Sequence, residues 1–173
     1  MNRRDYIKLT SLASIGLISS GTNLYAKNKH KEVLHLGIIG TGSRGSGIIT
    51  VLNKIQHIKV VAVCDVLPFR LTKAVEISGA KGYENYQDLL AHKGLDAVLI
   101  ATPFGMHGQM CLDALSANKH VYCEKTLVKG IHQTQKVLDA YRESSGLVFQ
   151  TGHQYNSAEL YQKVHSFIDE GYI

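Results

Sequence analysis

The stretch from Val33 to Asp65, VLHLGIIGTGSRGSGIITVLNKIQHIKVVAVCD, constrains the fold more than any other part of the chain. An apolar run (Val33, Leu34, Leu36, Ile38, Ile39) stops at glycines spaced Gly40-x-Gly42-x-x-Gly45. A helical apolar spacing follows at Ile48, Val51, Leu52 and Ile55, and a second β-branched run, Ile58 to Val63, closes on Asp65. Three glycines alone say little. Set between a strand and a helix, with an acid at the end of the next strand, they form the fingerprint of a βαβ unit that holds a dinucleotide.

Each position has a physical task. Gly40 is expected to make the tight turn, and Gly42 to let the backbone approach a pyrophosphate with no Cβ between. Gly45 is expected to bring the helix close to the sheet. The turn Gly40, Thr41, Gly42, Ser43, Arg44 and Gly45 then opens a helix whose free N–H groups and positive dipole end suit phosphate. Asp65 is expected to accept hydrogen bonds from the adenosine ribose. Its charge would repel a 2′-phosphate, so NAD is favoured over NADP. The plainer alternative is a glycine-rich turn that binds nothing, and the strand–turn–helix–strand–Asp context weighs against it.

The rest of the chain repeats the alternation. Pro68 opens a helix with Phe69, Leu71, Ala74, Val75 and Ile77 in apolar spacing, and Gly79 stops it. Tyr83 marks a short strand, and residues 86–91 a short helix with Leu89 and Leu90 inward. The run 96–102 is apolar throughout, as a central parallel strand buried on both faces should be. Then come a helix over 107–117, a strand over 120–123, a helix over 130–143 with Ile131, Val137, Leu138 and Tyr141 as its stripe, and a last strand over 147–149. Hydrophobic residues at 45% and charged residues at 19% fit a packed chain, not a disordered one. The pattern predicts an α/β fold, a doubly wound parallel sheet in the order 3-2-1-4-5-6. Ligands bind at the carboxyl ends of such strands, which selects the loops 40–45, 65–68, 102–107 and 123–126.

Residues 1–26 look like a twin-arginine export signal, with Asn2-Arg3-Arg4-Asp5-Tyr6-Ile7-Lys8 ahead of a mildly apolar segment and Ala26 as the cleavage point. A disordered or amphipathic tail is the alternative. The apolar segment is short of the roughly 20 residues that span a bilayer, so no stable membrane anchor is expected. Export by the twin-arginine machinery would place the protein in the periplasm with its cofactor already bound. Residues 27–32 read as a polar linker, 33–150 as the dinucleotide-binding domain, and 151–173 as the first segment of a second, substrate-binding domain. That segment is read as a helix over 156–172, opened by Asn156 and Glu159 as a capping box, with Leu160, Val164, Phe167 and Ile168 on one face and Gly171 as its stop. The sequence is expected to stop at the entrance to that domain.

Charge and metal-ligand patterns narrow the partners. Of the net charge of +5, the leader holds +2 (Arg3, Arg4 and Lys8 against Asp5), and the remaining +3 is scattered, so nucleic acid is not expected. Cys64, Cys111 and Cys123 form no CxxC pair and read as core thiols. No two histidines at i, i+4 flank an acid, so a zinc site is not expected. His30, His35, His57, His92, His120, His132 and His165 have no constellation around them.

Two further loops carry chemistry: Ala101-Thr102-Pro103-x-x-x-His107 and Cys123-Glu124-Lys125-Thr126. Glu124 can hydrogen-bond the nicotinamide ribose. Lys125 is a compact cation that can donate to a substrate hydroxyl or carbonyl and move the proton that accompanies a hydride. A Glu-Lys dipeptide by itself reads as a solvated charge pair; its place at a strand end matching the Thr102-Pro103 loop turns the reading. His107 is expected to line the cofactor site. His153 is open between a substrate role and a surface role.

The motifs GIIGTGSRG (37–45), VCD (63–65), ATPFGMH (101–107) and CEKT (123–126) together resemble the Gfo/Idh/MocA family of NAD(P)-dependent oxidoreductases over residues 33–173. The resemblance implies a Rossmann domain followed by an α/β domain with a large open sheet, through which the full-length protein would form a homo-oligomer. It implies hydride transfer on a sugar, inositol or related polyol, with Lys125 matching the lysine of the family's Glu-Lys-Pro. Thr126 replaces that proline. Gly152-His153-Gln154-Tyr155-Asn156 stands where many members carry Gly-x-x-x-Arg, which implies different substrate recognition. The second-domain Asp/His motif is absent, so this stretch is expected to bind cofactor better than it turns over substrate. Two alternatives stay open: a glycosidase that uses NAD transiently, against which the retained Lys125 weighs, and a non-catalytic cofactor-binding domain.

Overall fold

The computed structural model describes residues 33–172. The expected export leader, its Ala26 cleavage point and the linker over 27–32 lie outside the described residues, as does Ile173. Six strands form one wholly parallel sheet: β1 (Leu34–Ile39), β2 (Ile58–Cys64), β3 (Lys81–Tyr83), β4 (Ala97–Ile100), β5 (His120–Glu124) and β6 (Phe149–Gly152). Their order in space is β3-β2-β1-β4-β5-β6, the doubly wound order that the alternation predicts. The connecting helices are α1 (Ser43–Leu52), α2 (Pro68–Ser78), α3 (Tyr86–Leu90), α4 (Phe104–Ser116) and α5 (Ile131–Glu143). A 3₁₀ turn (Gln154–Ser157) and α6 (Glu159–Asp169) follow β6.

Side chains that alternate along each strand feed two separate cores. Leu36 and Ile38 of β1 pack with Ile49 and Leu52 of α1 and Ala74 of α2. Ile39 faces the other way, into a cluster with Leu89, Leu90, Met110, Cys111, Ala114 and Val137. All three cysteines are buried and unbridged. Ile38, Val98 and Ile100 have no exposed surface, as expected of central strands covered on both faces. The register between β1 and β2 slips once, between Leu36 and Gly37, where Gly37 leaves room for Leu89.

Several helix faces differ from their periodicity. In α1 the inward residues are Gly45, Ile49 and Leu52, whereas Val51 is 59% exposed. Contact at Gly45 sets the phase of the helix, not its largest apolar residues. In α5, Val137 is buried while Ile131 and Leu138 face outward. Strand β6 runs to Gly152, so the sheet continues past residue 150, where the second domain was expected to begin. Asn156 lies in the 3₁₀ turn and caps nothing; α6 starts at Glu159 behind Ala158, with no side-chain cap.

Among the described residues, no helix is long and apolar enough to cross a membrane. An apolar groove of about 570 Å³ runs along the α1 side of the sheet, lined by Leu36, Ile48, Leu52, Leu99, Tyr122 and Val148 among others. α1 is the one helix that contributes to its lining.

Candidate cofactor site

The glycine turn is built by close approach. Gly40 has φ +89°, and a Cβ there would sit 2.8 Å from the carbonyl carbon and oxygen of Ala101. Its N–H donates to the Cys64 carbonyl at 2.8 Å, which ties the turn to the end of β2. A Cβ on Gly45 would run into the Gly40 carbonyl oxygen. Gly42 is different: a Cβ there would meet only the Arg70 guanidinium, 3.5 Å from Nη1. Its bareness serves what approaches the turn, not the packing beneath it. Gly42 is also the N-cap of α1 and makes no side-chain cap bond. The first-turn N–H groups of the helix therefore point to the mouth of the turn with the dipole's positive end behind them.

Asp65 does more than face a ribose. Its Oδ2 accepts from the Thr41 N–H at 2.8 Å and the Thr41 hydroxyl at 3.1 Å, and its Oδ1 accepts from the Leu67 N–H at 3.0 Å. The side chain is almost wholly buried, with 7% exposed. A carboxylate has about four acceptor positions, so roughly one is left for a ligand hydroxyl. Asp65 thus pins the second residue of the glycine turn to the end of β2.

Two cavities flank the turn. One, of about 480 Å³, is lined by Gly40, Gly42, Asp65, Arg70, Thr102 and Pro103 among others. The second, of about 320 Å³, is lined by Arg44, Ala101, Thr102, Glu124, Lys125 and Gln154. Ala101 and Thr102 are the wall common to both. The strand ends named by the sequence therefore do converge. Arg44 Nη2 donates to Glu124 Oε1 at 2.6 Å, and Glu124 is itself buried. That ion pair bridges from the first turn of α1 to the end of β5, and the hydrogen bond to Glu124 raises the Arg44 pKa. Lys125 is exposed on the same cavity, and the Lys125–Thr126 peptide is cis.

His107 is placed elsewhere than expected. It is 1% exposed and lines neither cavity. Its two ring nitrogens sit 2.8 Å from the Thr126 and Thr102 carbonyl oxygens. Both partners are acceptors, so the arrangement is complete only when both nitrogens carry hydrogen. Burial opposes a charged ring, but the Cys123 side chain and the two carbonyls outweigh it and push His107 up to about 9. His107 is a brace under the site that joins the loop after β4 to the loop after β5.

His153 is exposed and lines neither cavity, whereas its neighbour Gln154 lines the cavity of Lys125. Sequence reasoning missed Gln154 because nothing in Gly152–Asn156 tells which side chain turns inward once β6 has ended. It missed Arg70 because five residues separate it from Asp65. The first turn of α2 closes that distance. Among the described residues, no group of three His, Cys, Asp or Glu side chains could hold a metal ion.

A parallel sheet with a glycine turn, bare helix N-terminus and strand-end acid of this geometry defines an NAD(P)-binding Rossmann domain. Residues 34–153 match the Gfo/Idh/MocA family, described as an oxidoreductase family with an NAD-binding Rossmann fold, and the chain belongs to it. The chain is 33% identical over 143 residues to the inositol 2-dehydrogenase of Salmonella paratyphi B, across 81% of this chain and 43% of the relative. It is 30% identical to a glycosyl hydrolase family 109 protein of Shewanella amazonensis, across 80% of this chain and 36% of that one. Scyllo-inositol dehydrogenase from Lactobacillus casei, solved with NAD(H) and scyllo-inositol, superposes with a TM-score of 0.78 at 31% identity, across 82% of this chain and 42% of that one. The 3-ketoreductase KijD10 from Actinomadura kijaniata, solved with NADP and TDP-benzene, gives 0.75 at 26% identity, with the same coverage of both chains. The chain spans less than half the length of these relatives.

Proposed function

We propose that this chain is the cofactor-binding part of an exported oxidoreductase that transfers a hydride between NAD and a sugar, inositol or related polyol. The observation that carries the reading is the convergence of the glycine turn, Glu124 and Lys125 on cavities that share Thr102. When bound, the dinucleotide supplies the hydride acceptor or donor. The residues present fit it: bare first-turn N–H groups for the pyrophosphate, one open position on Asp65 for a ribose hydroxyl, and a buried Glu124 at the opposite end. Asp65 favours NAD over NADP by like-charge repulsion of a 2′-phosphate. Lys125 donates to the substrate oxygen and carries its proton, and Gln154, on the same cavity, hydrogen-bonds a neighbouring hydroxyl. His153 stands outside that cavity, and its substrate role depends on what else meets the site.

The export reading rests on Arg3-Arg4 and the segment after it, and periplasmic location follows from it. Oligomerisation through a further domain remains part of the same proposal. The glycosidase reading keeps one specific support, the family 109 relative, and Lys125 opposes it.

One assay separates them. The full-length protein is mixed with NAD⁺ and myo-inositol, and NADH is followed by absorbance. Growth of NADH that Lys125→Ala reduces at least about a hundredfold, within the usual range for a lost acid–base group, supports the dehydrogenase. Free sugar released from a glycoside with no net NADH would replace it with the glycosidase.

A further inference from the structure

Resting on the reading that this chain binds a dinucleotide, we propose that Arg70 sets its choice between NAD and NADP. Its guanidinium faces Asp65 across the Thr41–Gly42 backbone, pairs with a 2′-phosphate, and opens the adenosine end to NADP.

Two opposite charges flank one short piece of backbone. Asp65 holds the N–H and hydroxyl of Thr41. Arg70 Nη1 lies 3.5 Å from where a Cβ on the next residue, Gly42, would stand. Both side chains line the 480 Å³ cavity. A ribose hydrogen-bonded to the remaining acceptor position of Asp65 would lie beside the turn, with its 2′ position between the two groups.

The charges are unequally committed. Three of the roughly four acceptor positions of Asp65 are filled by the protein's own donors, and the carboxylate is nearly buried. Arg70 is exposed, and among the described residues no carboxylate pairs with it. Its recorded partner is the ring of Phe69, 5.6 Å from the guanidinium carbon, itself 69% exposed. A guanidinium meets phosphate through two parallel N–H donors, a strong charge-assisted contact. Glu84 lines the same cavity and adds to the repulsion from Asp65. The balance is therefore a preference for NAD that Arg70 narrows, not an exclusion of NADP.

The test is calorimetric titration of the full chain and of Arg70→Ala and Arg70→Lys with NAD⁺, NADP⁺, 5′-AMP and 2′,5′-ADP. In the parent protein, NADP⁺ should bind within about tenfold of NAD⁺. Arg70→Ala should weaken NADP⁺ about tenfold more than it weakens NAD⁺, and 2′,5′-ADP likewise against 5′-AMP, with Arg70→Lys between, as one lost charge-assisted contact implies. The parent's NADP⁺ affinity should fall more steeply with salt than that of Arg70→Ala. Equal weakening of both dinucleotides would assign Arg70 to the shared diphosphate or adenine and overturn the proposal. So would a parent protein and Arg70→Ala with the same NADP⁺/NAD⁺ ratio. If the parent bound none of the four probes, the dinucleotide reading itself would fall; NAD⁺ bound tightly with an unmoved ratio would remove Arg70 alone. Thermal melts of each variant show whether the fold is retained, which a side chain this exposed should not affect.

Discussion

His107 shows how one side chain can hold a site without entering it. Its ring spans two backbone carbonyls at 2.8 Å on either side. The bonded form is the imidazolium, and the folded-state pKa of about 9 lies above the ordinary value of 6.5. A raised cationic pKa stabilises the fold fully below the unfolded-state value, and that contribution fades as pH rises through the folded-state value. Urea midpoints should therefore fall between pH 6.5 and 9, from this residue's share, by an amount that His107→Gln abolishes. A midpoint in His107→Gln that keeps the parent's slope over that window would assign the slope to other groups. Sequence placed His107 correctly at a strand end but read its type as a ligand-facing group. What the spacing could not show was that Thr102 and Thr126, nineteen residues from His107 in the second case, present carbonyls to the same ring.

At the scale of elements, two glycines do opposite jobs and should respond differently to the same substitution. Gly45→Ala drives a methyl into the Gly40 carbonyl and must push α1 off the turn. Gly171→Ala meets open space and only a left-handed φ of +79°. It ends α6 in a Schellman arrangement: the Tyr172 N–H donates to the Phe167 carbonyl at 2.9 Å and the Gly171 N–H to the Ile168 carbonyl at 3.0 Å. The rings of Phe167 and Tyr172 close it edge to face at 6.0 Å. Gly171→Ala should fray α6 by about 1 kcal/mol, visible as faster amide exchange at its last turn, while global stability is unchanged. Gly45→Ala should lower the global urea midpoint and abolish dinucleotide binding together. Sheet order, the strand-end loops and the stop at Gly171 were legible because glycine, proline and β-branched runs act locally. The start of α6 was not, because Asn156 has capping chemistry but the chain after β6 turns through a 3₁₀ segment before the helix can begin. The faces of α1 and α5 were not, because Gly45 and the sheet decide which side turns inward, and a count of apolar residues cannot see them.

For the molecule as a whole, the described residues hold one two-sided core and a helix that shares none of it. In α6, Leu160 is 71% exposed, Ile168 49% and Val164 41%, and no residue of the helix is buried. Leu160→Asp should thus leave the thermal midpoint unmoved, within the roughly 0.5 kcal/mol typical of surface changes. The same change should reduce dye binding to exposed apolar surface and any concentration-dependent association of the chain, read by light scattering. A drop in the midpoint would mean that α6 packs on the core after all. The brace beneath the site has a different reach. Thr102 is the partition between two cavities, and the carbonyl of that partition is held by the same ring that holds the residue after Lys125. A ligand that displaces the partition from one side shifts the footing of the lysine on the other. Free-energy coupling between two occupants is reciprocal, so whatever tightening the adenosine side confers on the reacting side, the reacting side returns in full.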